Sequence, residues 1–168
     1  MAEEKEIILF SSDAGFDPSK WMIVNDGVMG GVSRSSVQLG PKGNLEFSGI
    51  VSLENNGGFA SVRRMVELPI EKELSGILLR LRGDGKDYQM RLRMGSRFDG
   101  IAYRKTFSTN GEWQTVRFLF KEFIPSFRGR QVPGAPPLTP SGIRQIGFLI
   151  SDYQEGPFHI EVESISLF

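Results

Sequence analysis

Residues 76–94, Gly-Ile-Leu-Leu-Arg-Leu-Arg-Gly-Asp-Gly-Lys-Asp-Tyr-Gln-Met-Arg-Leu-Arg-Met, decide the fold class of this chain. Ile77, Leu79 and Leu81 alternate with other side chains before Gly83-Asp84-Gly85-Lys86, and Tyr88, Met90, Leu92 and Met94 alternate after it. Successive side chains of a strand point to opposite faces, so each half reads as a strand with one buried face. With the four central residues as a turn, the halves pair as a hairpin in which Leu81 faces Tyr88, Leu79 faces Met90 and Ile77 faces Leu92. The opposite face of that hairpin carries Arg80, Arg82, Arg91 and Arg93.

The same pattern extends outward. Ile7 to Phe10, Trp21 to Val24, Val32 to Leu39, Leu45 to Val51, Phe59 to Val66, Ile101 to Phe107, Trp113 to Phe120, Ile143 to Ile150 and Phe158 to Phe168 read as further strands. The 20 Gly and 9 Pro punctuate them,. The sharpest bend lies in Trp21 to Ser33, where an Asn25-Asp26-Gly27 corner and the Gly30-Gly31 pair let an extended segment turn twice. A single helical turn is expected at Glu71 to Leu74. The segment from Pro125 to Pro140, rich in proline and arginine, reads as a loop, because proline has no N–H for a sheet ladder.

About ten strands with Gly-rich corners predict one all-β domain over residues 1–168: an antiparallel two-sheet jelly-roll β-sandwich. A closed barrel is the structural alternative. Trp21 and Trp113 are both expected to be buried.

Composition removes several function classes. The 168 residues contain no Cys, so thiol catalysis, disulfides and iron-sulfur ligation are excluded, and a reducing compartment is compatible,. Twenty basic residues balance twenty acidic ones, which argues against nucleic acid and against anionic membrane as partners,. No apolar run approaches the ~20 residues needed to cross a bilayer, so no direct membrane insertion is expected. The start, Met-Ala-Glu-Glu-Lys-Glu, lacks the features of a secretory signal or an organellar presequence, and a cytoplasmic protein is expected,. One His, no Gly-x-Ser-x-Gly elbow and no phosphate-binding Gly-Lys-Ser/Thr loop leave no catalytic constellation,. Neither a cofactor nor a metal is expected.

Three groups of residues are binding candidates. Asn25, Asp26 and Ser33 flank the bent backbone with oxygens that suit sugar hydroxyls, although such residues commonly bond their own loop. Arg80, Arg82, Arg91 and Arg93 lie in a stretch, Arg80 to Lys105, with a local charge of +5 from eight basic and three acidic residues. Rows of guanidinium groups take carboxylate or phosphate in a bidentate way, which points to an acidic partner surface or an anionic ligand. Arg128 and Arg130, beside Phe127, form a basic loop able to dock a partner. His159, Glu161 and Glu163 share one strand face, but three alternate residues of a straight strand span about 13 Å and cannot all ligate one ion.

Several stretches resemble, in order, the complex I intermediate-associated protein family. They are Trp21, Asp26, Gly30, Gly31 and Ser33; Arg80-Leu81-Arg82-Gly83-Asp84-Gly85 with Tyr88; Trp113; Arg128-Gly129-Arg130; Ile146-Gly147-Phe148; and Gly156-Pro157-Phe158 with Glu161. The resemblance implies a galactose-binding-like jelly roll and a role that is not catalytic. Mitochondrial members act as assembly factors that hold partly built membrane-arm intermediates of respiratory NADH:ubiquinone oxidoreductase. This chain, which starts almost at its first strand, looks like a stand-alone bacterial-type member. The expected function is therefore a non-catalytic module holding a protein partner or assembly intermediate. The alternative is a carbohydrate-binding module with a sugar ligand.

Overall fold

The alternating segments form two stacked antiparallel sheets. The computed structural model describes residues 6–12, 20–66, 73–95 and 100–168. Within them the strands are β1 Ile7–Ser11, β2 Met22–Ile23, β3 Arg34–Leu39, β4 Leu45–Val51, β5 Ala60–Met65, β6 Gly76–Arg82, β7 Asp87–Arg93, β8 Ala102–Ser108, β9 Trp113–Leu119, β10 Ile124–Phe127, β11 Arg130–Gln131, β12 Gln145–Ile150 and β13 Gly156–Leu167. One sheet has six strands in the order β3-β4-β13-β6-β9, with β1 also paired to β13. The other has seven, ordered β11-β10-β8-β7-β12-β5-β2. The result is the expected antiparallel jelly-roll sandwich.

The inner faces meet in a core that includes Phe47, Leu79, Leu81, Met90, Leu92, Phe148, Ile160 and Val162, all without solvent exposure. Burying such side chains contributes about 1.5–3 kcal/mol each, which is what enforces the period of two. The twelve-residue β13 is the spine of its sheet. It pairs with β4 along its first part and with β1 along its last, and a bulge between Val162 and Ser164 interrupts its register with β6.

β6 and β7 do not form the hairpin that their sequence predicts. β6 pairs with β13 and β9, whereas β7 pairs with β8 and β12. Residues 83–86 therefore cross from one sheet to the other, and Leu79 and Met90 belong to opposing inner faces rather than to one ladder. Distant partners hold the crossing. Asp84 accepts hydrogen bonds from the Tyr88 hydroxyl at 2.8 Å and from the His159 N–H at 2.9 Å. Thr109 Oγ1 accepts from the Gly85 N–H at 3.0 Å and donates to the Lys86 carbonyl at 2.7 Å. A Cβ at position 83 would stand 2.4 Å from the Thr109 methyl carbon, so Gly83 is required by close approach.

Other expectations change in detail. The Pro125–Pro140 segment contributes β10 and β11, and Pro125 joins the ladder through its carbonyl, which accepts from the Val132 N–H at 3.0 Å. The helical turn expected at Glu71 to Leu74 begins outside the described residues. Trp21 is buried edge-on to Phe10, with ring centroids 6.3 Å apart. Trp113, expected in the core, is half-buried on the outer face of the six-stranded sheet, where the Arg80 and Arg82 guanidiniums lie 5.7 and 5.3 Å from its ring centre.

Candidate functional site

The Trp21–Ser33 bend is built around one carboxylate. Asp26 has no solvent exposure, and its oxygens accept from the Ser33 N–H at 2.9 Å, the Ser33 hydroxyl, the Gly58 N–H at 2.7 Å and the Phe59 N–H at 3.4 Å. A Cβ on Gly31 or Gly57 would fall 2.4 or 2.5 Å from the Asp26 carboxyl group, so the two glycines make its room. Burial pushes the Asp26 pKa up, but the bonds from Ser33, Gly58 and Phe59 outweigh it and hold the group below its ordinary 3.8,. Asn25 Oδ1 accepts from the Ser35 hydroxyl at 2.8 Å and the Ser61 N–H at 3.3 Å. Asn25, Asp26 and Ser33 thus spend these oxygen contacts inside the fold, tying the bend to β5 and to the segment before it.

Because β6 and β7 lie in different sheets, the four arginines expected on one face stand on two. Arg80 and Arg82 occupy the outer face of the six-stranded sheet. Arg82 Nη2 donates to both Glu161 oxygens at 3.3 Å, and Arg80 Nη1 donates to the Thr115 hydroxyl at 3.3 Å. His159 Nε2 lies 3.6 Å from Glu46 and 3.7 Å from Glu161. These three groups offer ligand atoms within 4.8 Å of one another, and Glu46 of β4 takes the place that the single-strand reading gave to Glu163. With Arg82 already on Glu161, the cluster is a cross-strand ion-pair ladder.

Arg91 and Arg93 occupy the outer face of the seven-stranded sheet, and there the structure gathers more arginine than the sequence reading did. Arg63, Arg91, Arg93, Arg104 and Arg128 line one groove of about 760 Å³, with Asp152 as the carboxylate among its lining residues. That volume is in the range of ligand pockets, about 300–1,000 Å³. Register explains the clustering. Gly147 of β12 pairs with Arg63 on one side and Arg91 on the other, and Arg91 pairs with Arg104. Three guanidinium-bearing residues thus stand on one rung across four strands, around a residue with no side chain. A Cβ at Gly147 would lie 2.4 Å from the Val62 carbonyl oxygen, so the gap is fixed by how closely β12 and β5 approach.

The rung is electrostatically costly. Burial, and then Arg93, Arg104 and Arg63, pull the Arg91 pKa down to about 10. The fold does not relax the crowding but braces it: Arg91 Nη1 donates to Gln89 Oε1 at 2.9 Å and Arg93 Nη1 to the Gly100 carbonyl at 2.7 Å. Gln89 and Gln145, on the flanking rungs, are themselves buried. Backbone strain collects on the walls. Arg128 and Asp152, which line the groove, and Tyr153, which follows, take φ of 50°, 61° and 60° without being glycine. Such angles cluster at functional sites. Arg130, in the two-residue β11, is exposed and does not line the groove. Arg97 and Asp99, two of the charged residues counted between Arg80 and Lys105, lie outside the described residues.

The family model of complex I intermediate-associated protein 30 matches residues 8–162. The chain belongs to this family. The family's mouse member, complex I intermediate-associated protein 30, mitochondrial, is 28% identical to it over 173 residues, covering 90% of this chain and 53% of the mouse protein. A probable mitochondrial member from Caenorhabditis elegans is 25% identical, covering 82% of this chain and 46% of its own. The chain therefore spans about half the length of these relatives. Among solved structures, the family 11 carbohydrate-binding module of a cellulosomal cellulase from Clostridium thermocellum superposes with a TM-score of 0.73 at 17% identity, covering 99% of this chain and 96% of the module. An exo-β-agarase matches over 25% of its length with a TM-score of 0.61 at 12% identity. At these identities the likeness is one of fold: a two-sheet jelly-roll sandwich. No helix among the described residues is long and apolar enough to cross a membrane.

In this family member the Gly83-Asp84-Gly85-Lys86 stretch is the sheet crossing, and Trp21 to Ser33 is the Asp26 latch. Sequence reading missed Arg63, Arg104 and Gly147 as site residues. The available signal was Gly147 between Ile146 and Phe148, since glycine inside a strand marks close approach by another backbone or a ligand.

Proposed function

We propose that this chain is a non-catalytic binding module of the assembly-factor type, which holds a protein partner in the arginine groove of the seven-stranded sheet. The observation that carries the reading is the rung Arg63–Gly147–Arg91–Arg104. A fold that keeps three guanidinium-bearing residues adjacent, at a cost to Arg91, has a use for positive charge there,. The relatives' name supports an assembly intermediate of respiratory complex I as the partner. The absence of cysteine fits a cytoplasmic setting or another reducing one,. The test is affinity purification from the native host with wild type and with the Arg63→Gln/Arg91→Gln double variant. Quantitative mass spectrometry should show complex I subunits with the first and at least about ten-fold less with the second. Equal recovery would overturn the reading.

Carbohydrate binding is a second reading, favoured by Tyr153, which is 87% exposed and next to the groove residue Asp152. An exposed ring beside polar groups suits sugar stacking. A glycan array separates the two, because binding that Tyr153→Ala abolishes and Arg91→Gln leaves intact belongs to the sugar reading.

A further inference from the structure

We infer that the groove's occupant is an extended acidic peptide segment lying across the strands, with carboxylates over the Arg63–Gly147–Arg91–Arg104 rung and apolar residues at its two ends. The inference rests on the binding reading above and names what the site takes. Adjacent strands lie about 4.8 Å apart, so from β5 through β12 and β7 to β8 the rung covers about 14 Å. One phosphate or one carboxylate engages guanidinium nitrogens at about 2.7–2.9 Å and covers only part of a row of that length. Alternate side chains of an extended peptide are about 6.6 Å apart, so acids at i, i+2 and i+4 cover about 13 Å, which matches the row.

The rung also has apolar ends. Met22 of β2 pairs with Arg63, and Ile124 of β10 pairs with Arg104. The two are 45% and 40% exposed. Across the sheet the outer face therefore reads Met22, Arg63, Gly147, Arg91, Arg104, Ile124: apolar, cationic, without a side chain, cationic, cationic, apolar, with Arg63 and Gly147 buried and Arg91 and Arg104 half-buried. Its complement is a segment with two or three acids between apolar residues. The floor offers little to a sugar ring, because Phe148 is wholly buried beneath it and Phe59, just before β5, is half-buried.

The test is fluorescence anisotropy with a labelled synthetic peptide, Leu-Ser-Glu-Ser-Glu-Ser-Glu-Ser-Leu, whose acids and terminal leucines all fall on one face when it is extended, against its Gln-for-Glu counterpart, with oligogalacturonate and inorganic phosphate as competitors. The full chain should bind the acidic peptide. Affinity should fall roughly ten-fold for the Gln counterpart, for Arg91→Gln and for Arg104→Gln, fall again on raising the salt, and be unchanged in Arg82→Gln on the opposite sheet. Binding that Arg91→Gln does not weaken overturns the inference. So does displacement by phosphate at equimolar concentration, or tight binding of oligogalacturonate without binding of the peptide. If the peptide fails while Arg63→Gln/Arg91→Gln still strips complex I subunits from the purified protein, the inference falls and the proposed function stands. If neither responds, both fall.

Discussion

Asp26 carries the Trp21–Ser33 bend. Replacing it with Asn keeps the shape but turns an NH2 group toward one of the donors from Ser33, Gly58 or Phe59. Asp26→Asn should therefore cost about 3 kcal/mol at neutral pH, read as a lower midpoint in urea. The folded carboxyl titrates below its ordinary 3.8, so the unfolded chain takes up the proton first as the pH falls. The contribution is complete above pH 3.8 and is lost as the pH drops through the folded value,. Wild type and variant should converge in acid. A gap that persists unchanged to about pH 2 would show that charge has no part in it.

Arg91 works the other way, since its proton is held less tightly in the folded state, at about 10, well below the ordinary guanidinium range. The penalty on folding is present in full below pH 10 and lifts as the pH rises above it,. Arg91→Gln removes that penalty at neutral pH. Calorimetry should give a higher Tm, by about 2–4 °C for each kcal/mol relieved, together with weaker binding of the acidic peptide. A lower Tm would mean that Arg91 is there for packing.

At the scale of elements, the instructive segment is the crossing between β6 and β7. Alternation along Ile77–Leu81 and Tyr88–Met94 was legible because burial of one face enforces it. The pairing was not, because Gly83-Asp84-Gly85-Lys86 suits a hairpin and a sheet crossing equally, and the contact that decides lies at Thr109, 24 residues beyond Gly85. Gly83→Ala should force its Cβ against Thr109 and lower stability by about 2–3 kcal/mol in chemical denaturation,. An unchanged midpoint would mean that the crossing has slack. The same limit applied to the site. Arg91 was visible as a candidate, but Arg63 and Arg104 join it only through β12 and β8, whose register no local pattern reveals. Arg80 and Arg82 were grouped with it because the hairpin put them on one face.

For the whole molecule, a net charge of zero conceals two different surfaces. On the six-stranded sheet cationic residues meet acids on neighbouring strands, as Arg82 meets Glu161 and His159 meets Glu46. On the seven-stranded sheet arginines crowd one another around Gly147. The likeness to carbohydrate-binding modules describes the scaffold, and the arginine rung is what this chain builds on it. The most direct measurement is partner recovery from the native host with two charge-matched variants, Arg63→Gln/Arg91→Gln on the groove and Arg80→Gln/Arg82→Gln on the opposite sheet. Recovery of complex I subunits should be lost with the first and kept with the second. Loss with the second alone, or with neither, would contradict the assignment of the groove as the binding surface.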